Sequence, residues 1–216
     1  MIKFDHEKMK AVEKFGEGRY QFFPLATMHP SSILICLKEA ARCNCQVADE
    51  QSLRNGLNGQ MQSCPFDMER PIKAVSTRDN FWLLGQSNTD QKMNLLKFKN
   101  NPHSQVIPEQ YFDYGQTVSE ILLLFKHKHS VYMLFQEESS DKCRSGKVTM
   151  IGRVCENEVI NPWEKSPTMK SFQKTRLVCD TDQEGGKYDS SDKMNAGAAY
   201  FHENEQTLFV VFNKAL

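Results

Sequence analysis

"LLLFKHKHSVYMLF", residues 122–135, sets two histidines two positions apart between two apolar runs. One continuous strand would point His127 and His129 to the same face, as a metal site or a nuclease histidine pair requires. A turn at the histidines would leave both in solvent and make the apolar flanks the informative part. Strands typically run about five or six residues, so one strand over 120–135 is the poorer reading. Two short strands joined by "KHKH" fit a four-residue hairpin loop. No third ligand pairs with the histidines, so the sequence predicts a hairpin and no metal site.

Around this hairpin the apolar pattern stays short in period. From residue 70 onward, runs recur at "IKAV", "FWLL", "EILLLF", "SVYMLF", "KVTMIGRV", "TRLVC", "AAYF" and "TLFVVF". Polar or Gly-containing stretches separate them, as between strands of an antiparallel or mixed sheet. One helix is expected to interrupt them at "NTDQKMNLLKF", with Asn88 or Thr89 as cap before Met93, Leu95, Leu96 and Phe98. Residues 99–117 read as a long polar insert, and "DTDQEGGKYDSSDKMN" as a second.

Upstream, residues 1–65 read as helical. "FDHEKMKAVEKF" gathers Phe4, Met9, Val12 and Phe15 near one face behind Asp5. "HPSSILICLKEAARC" follows Pro30 with Ile33, Leu34, Leu37 and Ala41 at helical spacing, and "VADEQSLRNGLNGQMQ" is a third candidate. The expected fold class is α+β. A helical N-terminal region (1–65) would pack on a strand-rich, barrel-like domain (66–216).

Composition narrows the function classes. Lys and Arg number 27 against 27 Asp and Glu, which argues against a strongly electrostatic nucleic-acid binder. No apolar run approaches the length of a membrane-spanning helix, and the charged start "MIKFDHEKMKAVEKFGEG" lacks a leader's apolar core. The seven cysteines have no disulfide-framework spacing, so free thiols and an intracellular location, cytoplasmic or nuclear, are expected. Cys36, Cys43 and Cys45 lack the second ligand pair of a structural zinc site. No metal or cofactor is expected.

Several features together carry a resemblance. "FWLLGQSNTDQKMNLLKF" offers a tryptophan in a strand, a polar turn and a short helix. "SVYMLF", a Ser- and Gly-containing loop and "KVTMIGRV" follow, then a second tryptophan in "INPWEKSP", then "SFQKTRLVCDTD". This order resembles the YTH domain, a barrel-like module of the PUA-like class that reads N6-methyladenine in RNA, over roughly residues 70–212. Methylation leaves adenine neutral, so such a reader must enclose the base in aromatic faces, each worth about 1–3 kcal/mol. The resemblance implies a cage of Trp82 and Trp163 with Met169 and Phe172. Base-edge contacts would come from Ser76, Asp79 and Asn80, and phosphate contacts from Lys126, Lys128, Lys170, Lys174 and Arg176. It thus implies a non-enzymatic reader of single-stranded RNA, binding weakly over a short footprint. Leu83 stands where the family usually carries a small polar residue, and His202 near where it tends to carry an arginine.

Two further readings belong to other classes. Cys64 in "GQMQSCPF" has a glutamine shortly before it, as papain-like hydrolases do, but Pro65 would break a nucleophile-bearing helix. A protein-interaction module on a repurposed PUA-like fold, with the N-terminal helices recruiting a partner, is the stronger alternative.

Overall fold

The computed structural model describes residues 32–39, 42–49, 62–64, 66–67, 69–87, 92–99, 110–139, 146–158, 169–178 and 194–214. Every regular element among them is a strand. Strands β1 (Ser32–Glu39), β2 (Arg42–Asp49) and β3 (Gln62–Cys64) form a three-stranded antiparallel sheet in that order. Next come β4 (Lys73–Ser76), β5 (Asn80–Gln86), β6 (Lys92–Lys99), β7 (Gln110–His127), β8 (Ser130–Glu138), β9 (Lys147–Cys155) and β10 (Gln173–Arg176). These seven lie side by side in sequence order, every neighbouring pair antiparallel. A separate hairpin, β11 (Met194–His202) and β12 (Thr207–Lys214), completes the described fold.

The seven-stranded sheet is two units joined through one strand. The first half of β7 pairs with β6, from Gln110 opposite Lys97 to Thr117 opposite Lys92. Its second half pairs with β8, from Val118 opposite Glu137 to His127 opposite Ser130. Strands β4–β7 and β7–β10 are therefore two four-stranded meanders sharing β7.

The helical N-terminal region is corrected by this architecture. "SILICLKE" and "RCNCQVAD" are paired strands, with Ile33 opposite Ala48 and Leu37 opposite Asn44. The candidate helix at 4–15 lies outside the described residues, as does most of the third. The helix expected at "NTDQKMNLLKF" is β6. Both of its faces are buried, with Met93 and Leu95 on one side and Asn94 and Leu96 on the other. A strand buried on both faces shows no polar alternation, and a short apolar run then reads equally well as a helix. The polar insert expected at 99–117 is likewise corrected, since residues 110–117 belong to β7.

One core lies over the middle of the large sheet. Trp82, Leu84, Met93, Leu95, Val118, Ile121, Leu124, Val131, Met133, Phe135, Met150, Val154 and Met169 form a continuous buried cluster. On the opposite face of β5, Phe66 packs at Gly85, where an added Cβ would stand 2.5 Å from the Phe66 ring. Gln86 donates its amide to the Val118 carbonyl and accepts from Arg70 at 3.1 Å, linking β5 to the shared strand.

Cys45 in β2 is fully buried and disulfide-bonded, which corrects the expectation of free thiols. Register sets Cys36 opposite Cys45 and Cys43 opposite Cys64. Cys155 is a free, exposed cysteine.

Candidate interaction surface

The β7–β8 hairpin turns at Lys128 and His129, a tighter loop than the four residues expected. Lys128 takes φ 53°, the left-handed conformation a two-residue turn demands at its first position. His129 is exposed, whereas His127 ends β7 and faces the second hairpin. Its Nδ1 lies 2.5 Å from Oε1 of Gln206, in the turn between β11 and β12. Beneath this contact, Phe125 stacks on Phe201 at 4.4 Å and on Tyr132 at 5.2 Å. The His127 ring stands edge-on to Phe201 and Tyr132 at 6.0 and 6.2 Å. An aromatic ladder thus seats one hairpin on the other. Among the described residues no cluster could hold a metal ion, and His127 is engaged in this ladder.

Deeper in, two buried polar side chains fix β11 against β8 and β9. Gln136 donates to the Ala196 carbonyl at 2.6 Å, and the Ala196 N–H donates to the Thr149 hydroxyl at 3.0 Å. The register then shifts between Ala196 and Ala198, so Gly197 bulges out of the ladder. A Cβ at Gly197 would come within 2.1 Å of the Asn213 side chain. After the bulge, alternation sends Ala199, Val210 and Phe212 inward onto Leu122, Leu134 and Ile151.

The outward face carries the opposite set, and it is apolar too. Tyr200 is directly opposite Phe209, and Ala198 directly opposite Val211. Tyr200, Phe209 and Val211 are 60%, 51% and 59% exposed, and only Val178 joins them as an exposed large apolar side chain among the described residues. Isolated exposed apolar residues are ordinary; a contiguous set on one sheet face marks a contact surface. The acidic turn at Glu203 and Glu205 borders the patch at one end. The run "TLFVVF" predicts the strand but not which of its faces stays exposed.

The residues singled out from the sequence are dispersed by the fold. Trp82 is fully buried, and Lys97 lies over its ring at 5.3 Å. Met169 is 3% exposed in the same core cluster, and Phe172 packs against it. Trp163 lies outside the described residues. Ser76 and Asn80 are buried, Asp79 is exposed in the turn between β4 and β5, and the Ser76 hydroxyl and Trp82 indole N–H have no hydrogen-bond partner. Of the cations, Lys126 pairs with Glu156 at 3.2 Å and Lys174 with the buried Glu137 at 2.7 Å. Lys128 is exposed in the hairpin turn, Lys170 is exposed in the turn before β10, and Arg176 is half-buried on β10. Cys64 sits on β3, with its backbone paired to Cys43, and Phe66 two residues on forms a bridge to Ser87.

Comparison with known proteins explains the architecture. No family model and no curated protein sequence matches the chain. Among solved structures, Drosophila Semaphorin 2a superposes with a TM-score of 0.70 at 13% identity, over 96% of this chain and 38% of that one. Extracellular domains 1–2 of Drosophila Semaphorin 1a match at 0.58 and 14% identity, over 95% of this chain and 42% of that one. The same domains of Drosophila Semaphorin 1b match at 0.54 and 13%, over 85% and 36%. The chain therefore spans about two-fifths of the length of these structures.

These likenesses overturn four expectations. The YTH and PUA-like resemblance falls, because the solved structures that superpose on the chain are semaphorins of β-propeller type. With it falls the reader of modified adenine in single-stranded RNA, both as function and as partner, together with the PUA-like basis of the interaction alternative. The intracellular location falls too, since the neighbours are extracellular domains and Cys45 is oxidised. Consecutive four-stranded meanders are the repeating unit of a β-propeller, and this chain has the β-propeller-type fold of the semaphorin extracellular region.

Proposed function

We propose that the chain is an extracellular, non-catalytic protein-binding module whose contact surface is the outward face of the β11–β12 hairpin. The observation that carries the reading is the set of Tyr200, Phe209 and Val211, aligned by register on one exposed sheet face. Large aromatic side chains beside aliphatic ones on a rigid strand supply contact area at low entropic cost, the usual make-up of an interface centre. The disulfide at Cys45 and the extracellular origin of the structural neighbours support a setting outside the cytosol.

The test is a panel of secreted and cell-surface ectodomains screened by surface plasmon resonance against the chain and its Phe209→Glu form. Binding to a specific ectodomain, weakened about tenfold or more by the substitution with thermal stability unchanged, is the expected result. Absence of any partner, or a partner indifferent to Phe209→Glu and Val211→Glu, would overturn the assignment.

A further inference from the structure

The turn between β11 and β12, residues 203–206, is held by contacts whose donor and acceptor roles are forced. Gln206 takes φ 53°, a conformation that favours glycine, and its side-chain amide ties the turn down in two directions. Its Nε2 donates to the Glu203 carbonyl, which can only accept, so the atom facing His127 is Oε1. His127 must then carry a proton on its Nδ1, 2.5 Å away. His202, opposite Thr207 in the last pair of the hairpin, has the reverse arrangement. Its Nδ1 lies 3.2 Å from the backbone nitrogen of Glu205, whose N–H can only donate, so this Nδ1 must be bare. One turn thus fixes two histidines in opposite tautomers.

We propose that His202 is a proton-operated latch of the β11–β12 turn. An imidazolium carries a hydrogen on both nitrogens and accepts at neither. A proton taken from solvent at Nδ1 of His202 therefore breaks the contact with the Glu205 N–H. The same nitrogen becomes a donor, and the Glu205 carboxylate stands 3.9 Å from it. His127 responds differently, because its Nδ1 is a donor in either state. Its contact with Gln206 persists in acid and becomes charge-assisted. Acid thus releases the backbone of the turn at Glu205 and keeps the anchor at Gln206. The other charged and titratable groups of the hairpin end are Glu203 and Tyr200, the latter edge-on to His202 at 6.1 Å. Across the junction the β7–β8 hairpin brings Lys126, His127, Lys128 and His129, with Lys126 paired to Glu156. The swap rearranges the acidic border beside Tyr200, but the inference goes beyond the contact-face reading and rests only on contacts within the turn.

Nitrogen NMR of the full chain from about pH 8 to about pH 5, where imidazoles change charge, tests the latch. At the alkaline end, Nδ1 should give the signal of a bare nitrogen in His202 and of a protonated one in His127. As His202 titrates, exchange of the Glu205 amide with water should quicken about two- to tenfold beyond its intrinsic pH dependence. The amides of β7 and β8 should keep their protection across the same range. His202→Asn sets Oδ1 as many bonds from the backbone as Nδ1, an acceptor that does not titrate. In that variant, whose thermal midpoint checks its fold, the Glu205 amide should show no step. A protonated Nδ1 on His202 at the alkaline end overturns the proposal without recourse to any variant. So does a Glu205 amide that ignores the titration of His202, or a step that survives in His202→Asn.

Discussion

Gly85 shows how little room single positions leave. Its missing side chain is the space occupied by the Phe66 ring, which is itself 1% exposed and cannot swing aside. Gly85→Ala should destabilise the protein by about 1–3 kcal/mol, read as a lowered thermal midpoint. Cys45→Ser removes a buried disulfide and should cost about 2–5 kcal/mol. An unfolding midpoint equal to wild type under non-reducing conditions would contradict that. Lys128 offers a change in the other direction. It holds φ 53° in an exposed turn, so Lys128→Gly should stabilise by roughly 0.5–1 kcal/mol, measurable by urea titration. None of these positions could be recognised from its own letter in the sequence. Gly85 lies in an apolar run where no turn is expected, and "RCNCQ" shows cysteines without showing what faces them across the sheet.

At the scale of elements, the sequence was legible wherever apolar runs were bounded by clear turns. The strands at "SVYMLF", "KVTMIGRV" and "TLFVVF" lie where their patterns predict, and the chain does reverse at the histidines. It misled where both strand faces are buried, as in β6, and where strands follow a segment rich in helix formers, as in β1 and β2. There the partner across the sheet decides the conformation, and that partner is distant in sequence or hidden among ambiguous runs. The docking of β11 was illegible for the same reason, because Gln136 and Thr149 look like solvent-facing polar residues until the bulge places Ala196 above them. Replacing both by Leu and Val should leave the large sheet folded but release the hairpin. Hydrogen exchange should then quicken across β11 and β12 while β8 and β9 stay protected. Uniform loss of protection would mean that the hairpin and the sheet unfold as one.

Over the whole molecule, the likeness to semaphorin structures survives at 13% identity because it lies in the path of the backbone, which sequence identity does not measure. The sequence-derived site followed tryptophans, the largest base-stacking faces, and the fold used Trp82 as core. Surface residues such as Tyr200 and Phe209 carried no signal, since only the register shift at Gly197 decides which side they face. A polar substitution there, Tyr200→Ser, should move the thermal midpoint little while reducing retention on a hydrophobic-interaction column. Retention equal to wild type would show that the face is covered.

Strand β7 belongs to both meanders at once, ending one and beginning the next without a loop between them. The boundary between repeats is therefore not a place where the chain can be cut. Dividing the sequence at 117/118 would leave each half of β7 its own ladder but would part the buried cluster that runs from Trp82 to Met169 and the Gln86–Val118 contact, so any shuffling of units in this architecture, whether by recombination or by an engineer, must carry that common core with its strands.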